Sequence, residues 1–279
     1  MKKIACLLFS ALLMISCSQN EPVSVNVASF NLRLNTKSDS LNAWPYRAEN
    51  VKSLIRFHEF EVFGVQEALP EQMDVLAQMA EYSYVGKGRD DGDRAGEHSA
   101  VFYRNDRFSV LDKGDFWFSE TPEVPSKGWD ATCCNRICSW AKLKENKTGK
   151  EFLFFSAHFD HEGAVAQLKS AEMVVAKINE IAKGLPTVFV GDLNSEPTSE
   201  PIKVLSASLR DAAVVSETGT YGPEQTFNNF KWNSTPLYRI DYIFVNDLVS
   251  VKKYGVLTDS KEMRYPSDHF PVFAQVSLD

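Results

Sequence analysis

The sequence predicts an α+β fold: a sandwich of β-sheets flanked by helices. Three observations point to it. Apolar and polar residues alternate with period two from Val23 to Phe30, the pattern of a half-buried strand. From about Gly163 to Lys183, Val165, Leu168, Ala171, Val175, Ile178 and Ala182 recur at three- and four-residue steps and form one apolar helical stripe. Strand-like and helical segments mix without strict βαβ alternation, which argues against a barrel of parallel strands.

Taken in order, Met1-Lys2-Lys3, an apolar run from Ile4 to Ile15 and then Ser16-Cys17 read as a secretory signal peptide over residues 1–16. The run is too short to span a bilayer. Met14-Ile15-Ser16-Cys17 also resembles the lipobox of bacterial lipoproteins, in which the cysteine is acylated. Cys17 is therefore expected to anchor the protein to a membrane of the bacterial cell envelope, with residues 17–22 as a tether. No repeat, low-complexity tract or linker interrupts the rest, so 23–279 is expected to be one domain. After the first strand, further strands are expected at Val62–Val65, Ala100–Tyr103, Phe152–Ser156, Thr187–Val190, Ile240–Val245 and Phe270–Val276. Helices are expected at Tyr46–Phe57 and Glu71–Glu81, the second led by Pro70, and the long helix is stopped by Gly184 and Pro186.

The 279 residues are 44% hydrophobic and 24% charged, which excludes disordered, collagenous and coiled-coil classes. A formal net charge of -7 argues against a protein that grips polyanions through its overall field. A phosphate-handling site would need local cations or a metal. Cys133, Cys134 and Cys138 lack the partners of a zinc site and read as small buried residues, with room for one local disulfide. The acidic stretch Arg89–Glu97 lacks the spacing and terminal glutamate of a calcium loop and reads as a solvated hairpin or surface loop.

Six polar clusters follow or interrupt apolar strands: Phe30-Asn31, Gln66-Glu67, His158-Phe-Asp160-His161, Gly191-Asp192-Leu-Asn194, Arg239-Ile-Asp241-Tyr and Ser267-Asp268-His269. Each alone reads as a turn or a helix cap. Together they present acids, amides and histidines at strand ends, where a sheet offers side chains to a common cleft. This complement meets the needs of phosphate-ester hydrolysis: a cation for the phosphoryl oxygens, a base for water and support for the leaving oxygen. Asp268 and His269 are neighbours on a strand and point to opposite faces, so Asp241 is the better partner for orienting His269.

SFNLR at 29–33, GVQE at 64–67, GDLN at 191–194, RIDYIF at 239–244 and SDHFP at 267–271 resemble, in order, the motifs of the endonuclease/exonuclease/phosphatase superfamily, the DNase I-like fold. The resemblance runs over essentially all of Val25 to Leu278. It implies a four-layered α/β sandwich, two mixed β-sheets packed face to face with helices outside, and hydrolysis of phosphodiesters or phosphomonoesters with Mg2+ or Mn2+. Carried over by position, it implies Glu67, Asn31 and Asp268 at the metal. His269 resembles a general base or phosphate contact supported by Asp241, Asp192 the acid that orients or deprotonates water, Asn194 an amide on a phosphoryl oxygen, and His158 the second histidine. Which histidine acts as base and which as acid stays open at this point. Arg136 resembles a substrate-binding arginine of bacterial members and Tyr103 a site-lining tyrosine; Asp160 reads equally as a substrate contact or a cap for the helix near Gly163.

The expected protein is thus a metal-dependent phosphodiesterase or phosphatase on the bacterial envelope, acting as a monomer on a small phosphorylated substrate or a phospholipid head group. A nuclease is the first alternative, disfavoured because no basic run tracks a nucleic-acid backbone. A non-catalytic, lipid-anchored binding protein on the same fold is the second, disfavoured because the full chemical set is intact.

Overall fold

A computed structural model describes residues 22–278. The signal-peptide reading, Cys17 and the tether up to residue 21 lie outside the described residues. Strands β1 (Val23–Asn31), β2 (Val62–Gln66), β3 (Tyr82–Val85), β4 (Val101–Arg104), β5 (Phe108–Trp117), β6 (Ile137–Glu145) and β7 (Glu151–His158) occupy the first half. β8 (Thr187–Asp192), β9 (Arg210–Asp211), β10 (Thr220–Tyr221), β11 (Asp241–Val245), β12 (Val249–Val256) and β13 (Val272–Leu278) follow. Helices α1 (Trp44–Phe57), α2 (Pro70–Leu76), α3 (Ala164–Ala182), α4 (Glu200–Ser206) and α5 (Ala212–Val215) connect them.

The strands form a seven-stranded sheet, β10-β12-β13-β1-β2-β4-β3, and a six-stranded sheet, β5-β6-β7-β8-β11-β9. Both are mixed: β1–β2 and β7–β8 are parallel, and most other pairs are antiparallel. Alternation along each strand decides what meets what. On β1, Val23, Val25 and Val27 face the second sheet, while Ala28 and Phe30 face the helices. The inner layer joins these valines to Phe152, Phe154, Val188, Val190, Ile243 and Val245. Outside the first sheet, Val51, Leu54 and Ile55 of α1 and Met73 and Leu76 of α2 cover Phe30, Phe63 and Phe102. Outside the second, Ala171, Val174 and Ile178 of α3 and Ile202 and Leu205 of α4 cover Phe155, Phe189 and Phe244. The architecture is the four-layered, DNase I-like sandwich.

The long helix runs as expected, with Gly163 as N-cap and Lys183 in the left-handed conformation at its end. The second helix is shorter than its pattern. It stops at Leu76 because Met79 and Tyr82 turn into the core, where the Tyr82 hydroxyl donates to the Phe60 carbonyl at 2.7 Å. Strands β5 and β12 escaped the alternation test because each carries a bulge, between Val110 and Asp112 and between Val251 and Lys253, that shifts the two-residue period.

The two sheets approach each other closely at Gly64. A Cβ there would lie 2.5 Å from Ser156 Oγ and 2.6 Å from Val190 Cγ2, so the first glycine of the GVQE segment is a spacing requirement. Gly64→Ala is expected to cost about 1–3 kcal/mol through overpacking. Urea unfolding should show a lowered midpoint with an unchanged slope.

Candidate active site

At one end of the sandwich the inner faces of both sheets turn polar. Phe152 and Phe154 of β7 are followed at the same two-residue step by Ser156 and His158, Val188 and Val190 of β8 by Asp192, and β11 begins with Asp241 ahead of Ile243 and Val245. The register sets His158 beside Asp192 and Asp192 beside Asp241, a row across three neighbouring strands. From the facing sheet, Asn31 ends β1 and Glu67 follows β2. Arg33, Glu67 and Asn194 turn the chain away from these strand ends with φ of 55°, 58° and 46°. A non-glycine residue there stores on the order of 1–3 kcal/mol, strain of the kind that collects at functional sites.

Two buried groups tie the loops together. Arg47 donates to the carbonyls of Leu32, Arg33, Asn42 and Pro266. The Ser267 hydroxyl donates to the Asn31 carbonyl at 2.7 Å. The loop that carries Asp268 and His269 is thereby fastened to the end of β1.

His269 Nδ1 donates to Asp241 Oδ2 at 2.9 Å, and that oxygen also accepts from the Thr226 hydroxyl at 2.6 Å. His269 Nε2 faces Asp192 Oδ2 at 3.8 Å. Burial disfavours the imidazolium, but the charges of Asp241 and Asp192 outweigh it and hold the His269 pKa well above its ordinary value. His269 is therefore a cation at neutral pH. His158 is the opposite case: burial, and then Arg136 and Arg89, hold it well below, so it is neutral. Its Nε2 accepts from the Asn194 amide at 3.1 Å, which leaves the proton on Nδ1, 3.8 Å from Glu97 Oε2. Burial and the adjacent Asp241 charge push Asp192 up to about 7, the range suited to a base for water. Burial would raise Glu67, but His269, the Leu34 N–H and the Asn31 amide hold it below the usual carboxylate range.

Glu67, Asp192, Asn194, Asp268, His158, His269 and Arg136 all line one cleft of about 700 Å3. Two expected roles change in detail, those of Asn194 and Asn31. Asp241 is fully buried and does not line the cleft; it acts through His269. Asn194 donates its amide hydrogens to His158 and to the Phe159 carbonyl, so it orients His158 and has none left for a phosphoryl oxygen. The Asn31 side-chain amide donates to Glu67 Oε1 at 3.0 Å and Asp192 Oδ2 at 2.8 Å while its Oδ1 accepts from the Arg33 N–H. It therefore orients two carboxylates and offers no oxygen to a metal in this arrangement.

The two remaining expectations move away from the cleft. Asp160 Oδ1 accepts from the N–H groups of Glu162 and Gly163 at 2.9 and 2.7 Å, and its Oδ2 lies 3.5 Å from Arg136 Nε. It is a turn-forming residue that positions Arg136. Tyr103 pairs with Val62 because β4 runs antiparallel to β2, which puts it at the end of the sheet opposite Glu67. It packs against the inner core.

Sequence reasoning missed Arg33, Arg89 and Glu97. Arg33 Nη1 lies 4.0 Å from Glu67 and its Nε 3.7 Å from Asp268. The 89–97 stretch is a surface loop only at its tip. His98 pairs with Ala68 and so delivers Glu97 beside Glu67, where Arg89 Nη1 and Nη2 each donate to its carboxylate at 2.7 Å. The readable signal was an arginine and a glutamate bracketing the turn. Among the described residues the three cysteines are free thiols: Cys138 is buried as expected of all three, but Cys133 is exposed and Cys134 half-buried, and both line the cleft.

A cation fits this donor set. Ligand atoms of Glu67, His158 and Asp192 lie within 4.8 Å of one another. Turning the Asn31 amide over would set its oxygen against two carboxylates, which only a cation among them would stabilise. Carboxylate oxygens are ligands of a hard divalent ion, and Glu67 would hold it together with Asp268, which flanks the same Arg33 side chain at 3.7 Å.

Residues 23–269 match the model of the Endonuclease/Exonuclease/phosphatase family. The chain belongs to that family. A solved endonuclease/exonuclease/phosphatase family protein from Bacteroides thetaiotaomicron is 44% identical, with a TM-score of 0.89 over 93% of this chain and 99% of that one. A mannosyl-6-phosphatase from Bacteroides thetaiotaomicron VPI-5482 is also 44% identical, with a TM-score of 0.86 over 90% and 99% of the two chains. Two uncharacterised proteins of Acanthamoeba polyphaga mimivirus are 24% and 23% identical, and the matches cover 18% and 63% of their lengths. Family membership brings a phosphoesterase-type fold and, generally, dependence on a divalent metal.

The two histidines should differ in charge. In 15N-edited NMR of metal-free protein at pH 7, His158 is expected as a neutral ring protonated on Nδ1 and His269 as a doubly protonated cation. In Asp241→Asn, His269 should titrate at lower pH.

Proposed function

We propose that this protein is a divalent-metal-dependent phosphatase that removes phosphate from small phosphorylated sugars, working as a monomer tethered through Cys17 to the bacterial cell envelope. One observation carries the reading: His158, Asp192 and His269, the last held by Asp241 behind it, converge with Glu67 and Asp268 in a cleft whose volume of about 700 Å3 suits one small ligand. The likeness to a mannosyl-6-phosphatase over 90% of the chain supports a sugar phosphate. Acidic residues in the cleft, Glu97 and Glu196 among them, together with the net charge of -7, oppose a long polyanion such as DNA.

In this reading the His269 imidazolium and Arg33 bind phosphoryl oxygens. Asp192 takes the proton of the attacking water, a new P–O bond forms as the sugar oxygen departs, and that oxygen is protonated from solvent. Attack and departure occur on opposite sides of phosphorus. Asp192 and His269 lie 3.8 Å apart and therefore serve the same side, which makes His269 a phosphate contact and Asp192 the base. Asp241 and Thr226 keep His269 charged and oriented. A bound Mg2+ or Mn2+ would neutralise phosphoryl charge and support the leaving oxygen.

Hexose 6-phosphates, bis-p-nitrophenyl phosphate and nucleic acid, each assayed with Mg2+, Mn2+ or chelator, test the reading. Hexose phosphates should be preferred, chelator should abolish turnover, and Glu67→Gln should lower kcat by about 10³-fold or more, matching a metal contribution of several kcal/mol. Asp192→Asn should cost about 10²–10⁴-fold, the worth of a positioned base. Preference for nucleic acid, or full activity in chelator, would contradict it. For the tether, Cys17→Ala should move the protein from the membrane fraction to the soluble fraction and abolish labelling with a radioactive fatty acid.

A further inference from the structure

One wall of the cleft carries charges that the hydrolytic steps leave unused. Arg89 and Glu97, at the two ends of the 89–97 loop, have side chains only 10% and 13% exposed and form a bidentate pair. Removing two charges from water costs several kcal/mol each, and the pairing returns little net stability. A loop with an otherwise exposed tip has no need to bury such a pair. The surroundings nevertheless fix it: the indole N–H of Trp117 and the Asn135 amide both donate to the Arg89 carbonyl, at 2.7 and 3.1 Å. Arg136, 5% exposed, lies in the same wall with its Nε 3.5 Å from Asp160 Oδ2, and Arg89 Nε is buried with Asp90 Oδ1 3.9 Å away.

We propose that Arg89 and Glu97 form a subsite for the hydroxyl groups of the sugar that bears the phosphate; the assignment rests on the sugar-phosphatase reading. A hydroxyl both donates and accepts, so it can engage a carboxylate and a guanidinium side by side. A phosphate only accepts and would meet the Glu97 charge; an aryl group offers neither function. The distance is also right. Glu97 Oε2 lies 3.8 Å from His158 Nδ1, and His158 Nε2 lies 3.6 Å from Asp192 Oδ2, so one imidazole ring separates the wall from the hydrolytic carboxylate. A sugar whose phosphate sits at Asp192 and His269 reaches Glu97 with the hydroxyls remote from the ester.

The test compares kcat/KM for mannose and glucose 6-phosphates, their 2-, 3- and 4-deoxy analogues and p-nitrophenyl phosphate, in wild type, Glu97→Gln and Arg89→Lys. Hydrogen bonds to charged groups predict that the ratio of hexose to aryl ester falls about tenfold to a hundredfold in each variant. In wild type, which raises no question of folding, at least one deoxy analogue should lose a similar factor. Glu97→Gln should show no further loss with that analogue. Parallel loss on hexose and aryl esters would make Glu97 a positioning residue for His158 and overturn the subsite. So would deoxy penalties that are the same in wild type and Glu97→Gln. Turnover of p-nitrophenyl phosphate without any hexose phosphate would remove the sugar reading itself, and the subsite with it.

Discussion

Two carboxylates, Asp192 and Asp241, are brought side by side by the β8–β11 register and buried almost completely. Like charges this close in a site remote from water cannot both stay ionised without compensation. The compensation organises the site. His269 takes up the Asp241 charge and remains a cation, Asn31 donates to Asp192, and burial, with what is left of the Asp241 charge, raises the Asp192 pKa into the range of a base for water. Glu67 and Asp268 add two further carboxylates, which makes a divalent cation the natural counter-charge. An acidic protein can thus offer a site for a phosphate at one point, and the proposed preference for a small substrate over a long polyanion rests on the same charges.

The sandwich produces this cluster without special devices. The strand faces that bury Val188, Val190, Phe152 and Phe154 between the sheets end, two residues further on, in Asp192 and His158. The active site is the polar end of the same interface whose apolar part holds the fold together. Its rigidity follows from packing: Gly64 lets the sheets close, Gly191 has no room for a side chain against the Ala157 carbonyl, and Arg47 and Ser267 bind the loops across the cleft end. Specificity is then left to the wall of charged side chains delivered by the pairing of His98 with Ala68.

Much of this was legible in the sequence, for a physical reason. Strand-end motifs such as GDLN and RIDYIF are local, and the two-residue period tells which of their residues share the inner face. That Glu67, Asp192 and His269 share one cleft could be read from the chain alone. Strand direction was not legible. Tyr103 sits in a sound strand, but antiparallel pairing with β2 carries it to the far end of the sheet. Nor could local pattern show that Arg89 and Glu97 are drawn inward, because the acidic tip between them is solvated and dominates the composition. Side-chain economy was hidden too: Asn194 and Asn31 look like phosphate and metal contacts until their hydrogen bonds are assigned to His158, Glu67 and Asp192.

The claim on which everything else rests is that the buried carboxylates form a cation site. Titration calorimetry of Mn2+ into metal-free protein measures it directly. Saturable binding at the cleft that disappears in Glu67→Gln, while Glu180→Gln, a change of an exposed carboxylate on α3, binds like wild type, is the predicted result. No saturable binding, or binding indifferent to Glu67→Gln, would contradict the account.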